Sequence, residues 1–262
     1  MASTVLVVSP HLDDAVLSAG GRIHRLVSEG AHVTVFTVFA GIPEPPYSPI
    51  AEYFHYVWGL DTDPVEHRRR EDQAAVALLG ATPSYGSFLD AVYRRRPDGS
   101  WLVDMDQPAV QGHDVPEPAL GPELETAVAS LLGTLQPDLV LTCAAVGNHL
   151  DHRRARDAVA AAAAGKVPLY CWEDLPYGMR EPDPPPLPAG AGFGPPVAET
   201  ASERAWSAKY AAIGCYRSQH SMLWPPGTDV RELFDTHAAG RAGAHGADGR
   251  AEVFWPVEPG GA

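Results

Sequence analysis

Cysteine is scarce in this sequence: Cys143, Cys171 and Cys215 are the only three in 262 residues, and they are widely spaced. An odd, scattered set makes neither a disulfide framework nor a C-x-x-C metal signature, so the three read as reduced packing residues. Basic charge is also in short supply, with 19 Lys and Arg against 33 Asp and Glu, a net charge of -14. That deficit excludes nucleic acid as a partner, because binding it rests on Lys and Arg neutralising phosphates. No stretch approaches the roughly 18 consecutive apolar residues that cross a bilayer. Met1 to Thr4 run into an apolar segment with no charged leader or cleavage site, so the expectation is a soluble, cytoplasmic protein without a membrane partner. No internal repeat is present.

The hydrophobic content, 45%, suffices for one sizeable core, and a single domain over residues 1–262 is expected. Val5-Leu6-Val7-Val8 is a continuous apolar run of the kind a strand buried on both faces requires. Apolar positions at helical spacing follow from Val16 to Val27, then Gly30, then a second strand-like run from His32 to Phe39. This β-α-β unit predicts an α/β fold, a Rossmann-like, mostly parallel sheet with helices on both faces. Helices are further expected over Glu66 to Leu79, Glu123 to Leu135 and Asp151 to Ala164. Strands are expected over Leu139 to Cys143 and Val167 to Trp172, with weaker strand signals over Ser84 to Val92 and Trp101 to Val103. Three Pro-rich stretches, Ala40 to Pro64, Pro108 to Pro122 and Glu181 to Pro196, read as loops.

The chemistry gathers at two strand ends. Ser9-Pro10-His11-Leu12-Asp13-Asp14 follows the first strand, at the sheet edge where open α/β folds bind ligands. It has no G-x-G-x-x-G, so it offers no dinucleotide turn. Instead it places an imidazole and two carboxylates within four residues, more than helix capping needs. Asn148-His149-Leu150-Asp151-His152 likewise follows a buried strand and precedes a helix, so the two clusters should meet at one edge of the sheet. Imidazole nitrogens and a carboxylate are donors that zinc accepts, and three protein ligands leave a coordination position open for catalysis. Of the eight histidines outside the clusters, His24, His32, His55, His67, His113, His237 and His245 read as surface or packing groups, and His220, beside Tyr216-Arg217-Ser218-Gln219, is a weaker site candidate.

These motifs resemble those of the zinc-dependent N-deacetylases grouped as PIG-L or LmbE-like proteins. The family's first motif is usually Ala-His-Pro-Asp-Asp-Glu. Here the proline precedes the histidine and Ala15 stands in place of the glutamate. Its second motif, His-x-Asp-His, is matched at every specified position by His149-Leu150-Asp151-His152. Arg68-Arg69-Arg70-Glu71, the run from Tyr170 to Tyr177, Lys209 to Ile213 with Tyr216-Arg217-Ser218-Gln219, and Glu252-Val253-Phe254-Trp255 are similar to further family segments, so the resemblance covers nearly the whole chain. It implies that His11, Asp14 and His152 are Zn²⁺ ligands, Asp13 the general base and His149 the residue that stabilises the oxyanion. Iron, cobalt or nickel would also suit such an N₂O donor set. Arg68 matches a sugar-contacting position. An arginine in a run of three also reads as a solvated helix face, and Asp151 reads equally as a residue orienting a histidine or as an N-cap. Trp172 and Tyr177 are candidates to stack on a sugar, with core packing the alternative.

The implied reaction is removal of the N-acetyl group from an amino sugar, free or within a glycoside. Some relatives instead cleave an amide in a sugar-thiol conjugate of the mycothiol type, which is the alternative substrate. A small molecule is the expected partner in either case, and the sequence leaves oligomeric state open. A high Ala, Gly, Pro and Arg content suggests a specialised pathway such as maturation of a glycosylated antibiotic.

Overall fold

A computed structural model describes residues 3–103, 105, 116–181 and 183–259. The elements run β1 (Thr4–Ser9), α1 (Asp14–Ser28), β2 (His32–Thr37), α2 (Pro49–Trp58), α3 (Pro64–Leu78), β3 (Thr82–Tyr85), α4 (Leu120–Leu135) and β4 (Leu139–Cys143). They continue with α5 (Leu150–Ala163), β5 (Leu169–Trp172), β6 (Ala191–Phe193), β7 (Val197–Thr200), α6 (Glu203–Ile213), α7 (His220–Leu223), α8 (Val230–Ala244) and β8 (Ala251–Pro259). One sheet orders the strands β3-β2-β1-β4-β5-β8-β6, with β7 also pairing β8. The first five are mutually parallel, and β8 runs antiparallel to β5, β6 and β7. The fold is therefore the expected mixed α/β arrangement with a mostly parallel sheet.

The apolar run in β1 divides its side chains between two cores, as the period of a strand dictates. Val5 and Val7 pack with Ala15, Val16 and Ile23 of α1, Ala75 and Val76 of α3, Ala212 and Ile213 of α6, and Phe234 of α8. Leu6 and Val8 point the other way, onto Leu124 and Val128 of α4 and Ala155, Ala158 and Val159 of α5. Both faces are covered, which is why no polar residue alternates through Val5 to Val8.

Three expectations are corrected. The stretch from Ala40 to Pro64 is not all loop, because it contains α2. Ser48 caps this helix by accepting from the Ala51 N–H, Pro49 occupies the first turn where its missing N–H costs nothing, and Gly59 ends it in the left-handed region at φ +66. Glu181 to Pro196 holds β6, which pairs β8. Of the span from Ser84 to Val92 only Ser84 and Tyr85 belong to β3, and a 3-10 turn at Ala91–Tyr93 follows. Trp101 makes one bridge to Arg95. Most of the Pro108 to Pro122 connector, with His113, lies outside the described residues, and α4 begins at Leu120.

Helix α3 is oriented differently from what its composition suggests. Its Arg68, Glu71 and Asp72 are buried, and Leu78 is about half exposed, at 49%. The charged face points inward because it meets polar partners there: Glu71 accepts from the backbone N–H and the hydroxyl of Ser218, and Asp72 accepts from the Tyr85 and Tyr216 hydroxyls.

Candidate metal centre

Strands β1 and β4 are neighbours in register, Val8 opposite Thr142, so the segments leaving their carboxyl ends emerge side by side. In the first, the Ser9 hydroxyl donates to the His11 carbonyl and accepts from the Ala15 N–H, bending the chain into α1. In the second, the chain passes through left-handed conformations at Ala145, Gly147 and Asn148 before His149 caps α5, its Nδ1 accepting from the Asp151 N–H at 3.1 Å. The two turns bring His11, His149 and His152 together, with one nitrogen of each ring within 4.8 Å of the others.

Asp14 sits between two of these rings. Its Oδ2 lies 3.2 Å from His11 Nδ1 and 3.3 Å from His152 Nε2, and also accepts from the His11 backbone N–H at 2.8 Å. Each histidine directs its other nitrogen at a buried carboxylate: His11 Nε2 is 3.1 Å from Asp151 Oδ2, and His152 Nδ1 is 2.7 Å from Asp174 Oδ1. These features fit a small divalent cation. Ligands about 2.0–2.1 Å from a tetrahedral ion stand roughly 3.3 Å apart, and metal-binding histidines characteristically give their second ring nitrogen to a carboxylate. Two other donor groups, Cys143 with His152 and Asp174, and His11 with Asp90 and Asp151, also fall within metal-binding reach. Neither suits a cation. The Cys143 thiol is engaged with the His152 carbonyl at 3.3 Å and Asp174 Oδ2 with two backbone N–H groups, and Asp151 already carries the Arg94 guanidinium at 2.6 Å.

The electrostatics separate the two adjacent aspartates. Burial, then the charge of Asp14, pushes Asp13 up to about 7, against the pull of Arg68 and His11. Burial alone would raise Asp14 too, but His152 and His11 hold it well below the ordinary carboxylate range. Desolvation, with His152 and His11 nearby, pushes His149 well below its ordinary value. Its neutral ring accepts at Nδ1, so its proton resides on Nε2. Arg68 is buried, stacks 4.8 Å over the Trp58 ring, and brings Nη2 to 3.7 Å from Asp13 Oδ2. Its Nε has no hydrogen-bond partner among the described residues. Asp151 is not the N-cap of α5, since His149 is; its carboxylate joins His11, Arg94 and the Ala91 N–H.

His11, Asp13, Asp14, Arg68 and His149 line one cavity of about 430 Å³. Its polar lining includes His11, Asp13, Asp14, Asp90 and His149, and α2 and α7 contribute an apolar wall of Phe54, Trp58, Met222 and Leu223. Trp58 Nε1 donates to Met222 Sδ at 3.0 Å, tying those two elements together.

Residues 6–163 match the family described as GlcNAc-PI de-N-acetylase, PIG-L, a span that includes both motifs. The chain belongs to the PIG-L family. A 2'-N-acetylparomamine deacetylase of Streptomyces fradiae is 32% identical over 188 residues, 67% of this chain. The match spans 58% of that relative's length. Among solved structures, the zinc-inhibited form of a teicoplanin deacetylase superposes with a TM-score of 0.90 at 38% identity, covering 98% of this chain and 99% of that one. The A40926 pseudoaglycone deacetylase gives 0.84 at 38% identity over the full length of both.

Within this PIG-L chain His11, Asp13, Asp14 and His149 line the cavity and Arg68 reaches it from α3, while His152 and Asp151 are buried behind that lining, against Asp14 and His11. Trp172 does not reach the cavity: it is fully buried in the core beneath α1, while Tyr177 lines it. His220 directs a ring nitrogen to the Ile213 carbonyl and is not among the lining residues. Sequence reasoning missed Phe54, Trp58, Asp90, Asp174 and Met222. The Ser48-Pro49 start and Gly59 stop around an aromatic run would have exposed α2 and its two aromatics. Asp174 stands in the segment Tyr170 to Tyr177, but only the spatial pairing of β4 with β5 reveals its partner.

Proposed function

We propose that this PIG-L protein holds one divalent ion, zinc, through His11, Asp14 and His152 and hydrolyses the N-acetyl group of an amino sugar carried on a larger glycosylated metabolite. The observation that carries this reading is the placement of Asp14 Oδ2 between His11 Nδ1 and His152 Nε2 at 3.2 and 3.3 Å, while the opposite ring nitrogens face Asp151 and Asp174.

An ion bound there supplies Lewis-acid polarisation of the acyl carbonyl and acidifies water. The protein's own groups do the rest. Asp13, buried in the cavity lining beside Asp14, takes the proton of the attacking water and returns it to the leaving amine nitrogen. His149, with its proton fixed on Nε2 by the Asp151 N–H at Nδ1, donates to the oxygen that gains negative charge. Arg68, stacked on Trp58, holds Asp13 in place and lines the cavity where the sugar would sit. Asp151 orients His11. The products are acetate and a primary amine.

The apolar wall supports a substrate with a bulky apolar portion. Beyond Phe54 and Trp58, α2 exposes Tyr53 at 51% and Tyr56 at 79%. The solved relatives named for teicoplanin and the A40926 pseudoaglycone match this chain over its whole length, which favours a glycopeptide-type substrate over a free sugar. Mass spectrometry of a glycopeptide N-acetylglucosaminyl pseudoaglycone incubated with the protein should show loss of 42 Da, one acetyl group. Turnover of free N-acetylglucosamine alone would contradict the choice of substrate.

A further inference from the structure

Asp174 lies outside both motifs, at the carboxyl end of β5, and is almost fully buried, at 1% exposure. Three N–H donors converge on its carboxylate. Oδ1 faces His152 Nδ1 at 2.7 Å, and Oδ2 accepts from the backbone N–H groups of Ala144 at 3.1 Å and Val146 at 2.9 Å. Those two amides flank Ala145, which is held in the left-handed region at φ +61, in a turn that repeats this conformation at Gly147 and Asn148 before delivering His149. For residues other than glycine that conformation costs roughly 1 kcal/mol or more each, so the turn needs external bonds to hold it.

We propose that Asp174 is the positioning residue of the metal centre: it fixes the His152 proton on Nδ1, leaving Nε2 bare beside Asp14, and clamps the turn that places His149. This rests on the reading of His152 as a metal ligand. Only a carboxylate can serve all three donors, because both of its oxygens accept. An asparagine must put its NH₂ against either the backbone pair or His152. With its oxygen on the backbone pair, its NH₂ faces Nδ1. The neutral ring must then accept there and carry its proton on Nε2, the nitrogen the metal needs. The substitution is nearly isosteric, so it changes proton placement far more than packing.

Nitrogen-15 NMR of the zinc-loaded wild-type protein should find the His152 proton on Nδ1, slow to exchange with solvent. A ring bound to zinc through Nδ1, or an Nδ1 proton in free exchange, overturns the proposal. In Asp174→Asn, chelator competition should show zinc affinity lowered about 10- to 100-fold, with the circular-dichroism spectrum and the His11 ring signals retained. Affinity equal to wild type overturns it. Should that variant not fold, the wild-type proton measurement decides alone. A wild-type protein that binds no zinc removes the metal centre and this proposal together, whereas zinc bound through Nε2 of His152 without acetate release contradicts only the deacetylation.

Discussion

In the proposed mechanism His149 acts through both ring nitrogens, and substitution can separate the two roles. Its Nδ1 caps α5 and its Nε2–H faces the cavity. His149→Ala should lose both, lowering kcat about 10²- to 10³-fold and stability by about 1 kcal/mol. His149→Asn should restore the cap and the stability but not the rate, with zinc content unchanged in both variants. Steady-state kinetics beside thermal melts would check this, and loss of zinc from either variant would make His149 a ligand instead. Asp72, on α3 outside the two motifs, offers a pH signature of its own. Burial pushes it up to about 6 despite hydrogen bonds from Tyr216 and Tyr85. With its folded value above the unfolded one, the folded chain binds more protons between about pH 4 and 6, so this group's contribution to stability is present at low pH and lost as pH rises. The displacement corresponds to roughly 3 kcal/mol. Asp72→Asn should therefore lose less stability than wild type between pH 4 and 7 in denaturant titrations. Parallel pH profiles would show that Asp72 is ionised throughout.

At the scale of elements, the strand-end turns decide whether the motif residues meet. Gly147 sits at φ +80, where a Cβ would come within 2.6 Å of the Tyr177 ring. Gly147→Ala should therefore displace Tyr177 or open the turn, costing about 1–3 kcal/mol and lowering kcat/KM; a melt indistinguishable from wild type would show that the turn is not so constrained. The same scale explains what the sequence made legible. His11, Asp13 and Asp14, like His149 and His152, are close in the chain and each group follows a strand with an unmistakable apolar run, so local spacing sufficed to bring them together. The wall of Phe54, Trp58 and Met222 could not be read this way, since it comes from α2 and α7, short helices joined across the cavity. Five prolines from Ala40 to Pro64 concealed α2, because a proline that starts a helix and one that breaks it look alike in composition. The inward charged face of α3 was hidden for a related reason: Glu71 and Asp72 are satisfied by Ser218, Tyr85 and Tyr216, and Arg68 faces Asp13, partners outside the helix.

Across the whole molecule, the late segments close the fold over the early ones. Lys209 of α6 is fully buried and pairs with Glu252 of β8 at 2.7 Å, while Glu252 also accepts from the Gly21 and Arg22 backbone N–H groups of α1. One carboxylate thus ties together three elements behind the cavity. Lys209→Met would strand that charge, and the cost of breaking a buried pair from one side is about 3–5 kcal/mol. Chemical denaturation should register it; a loss under 1 kcal/mol would mean that the backbone donors alone satisfy Glu252. The proposed activity joins the metal and the amide. Its most direct test is to strip the protein with a chelator, restore zinc in steps up to one equivalent per chain, and follow acetate release from an N-acetylglucosaminyl glycopeptide. Release should be lost on stripping, rise in proportion to zinc up to one equivalent, and stay absent in His11→Ala. Full turnover by the stripped protein would contradict the account.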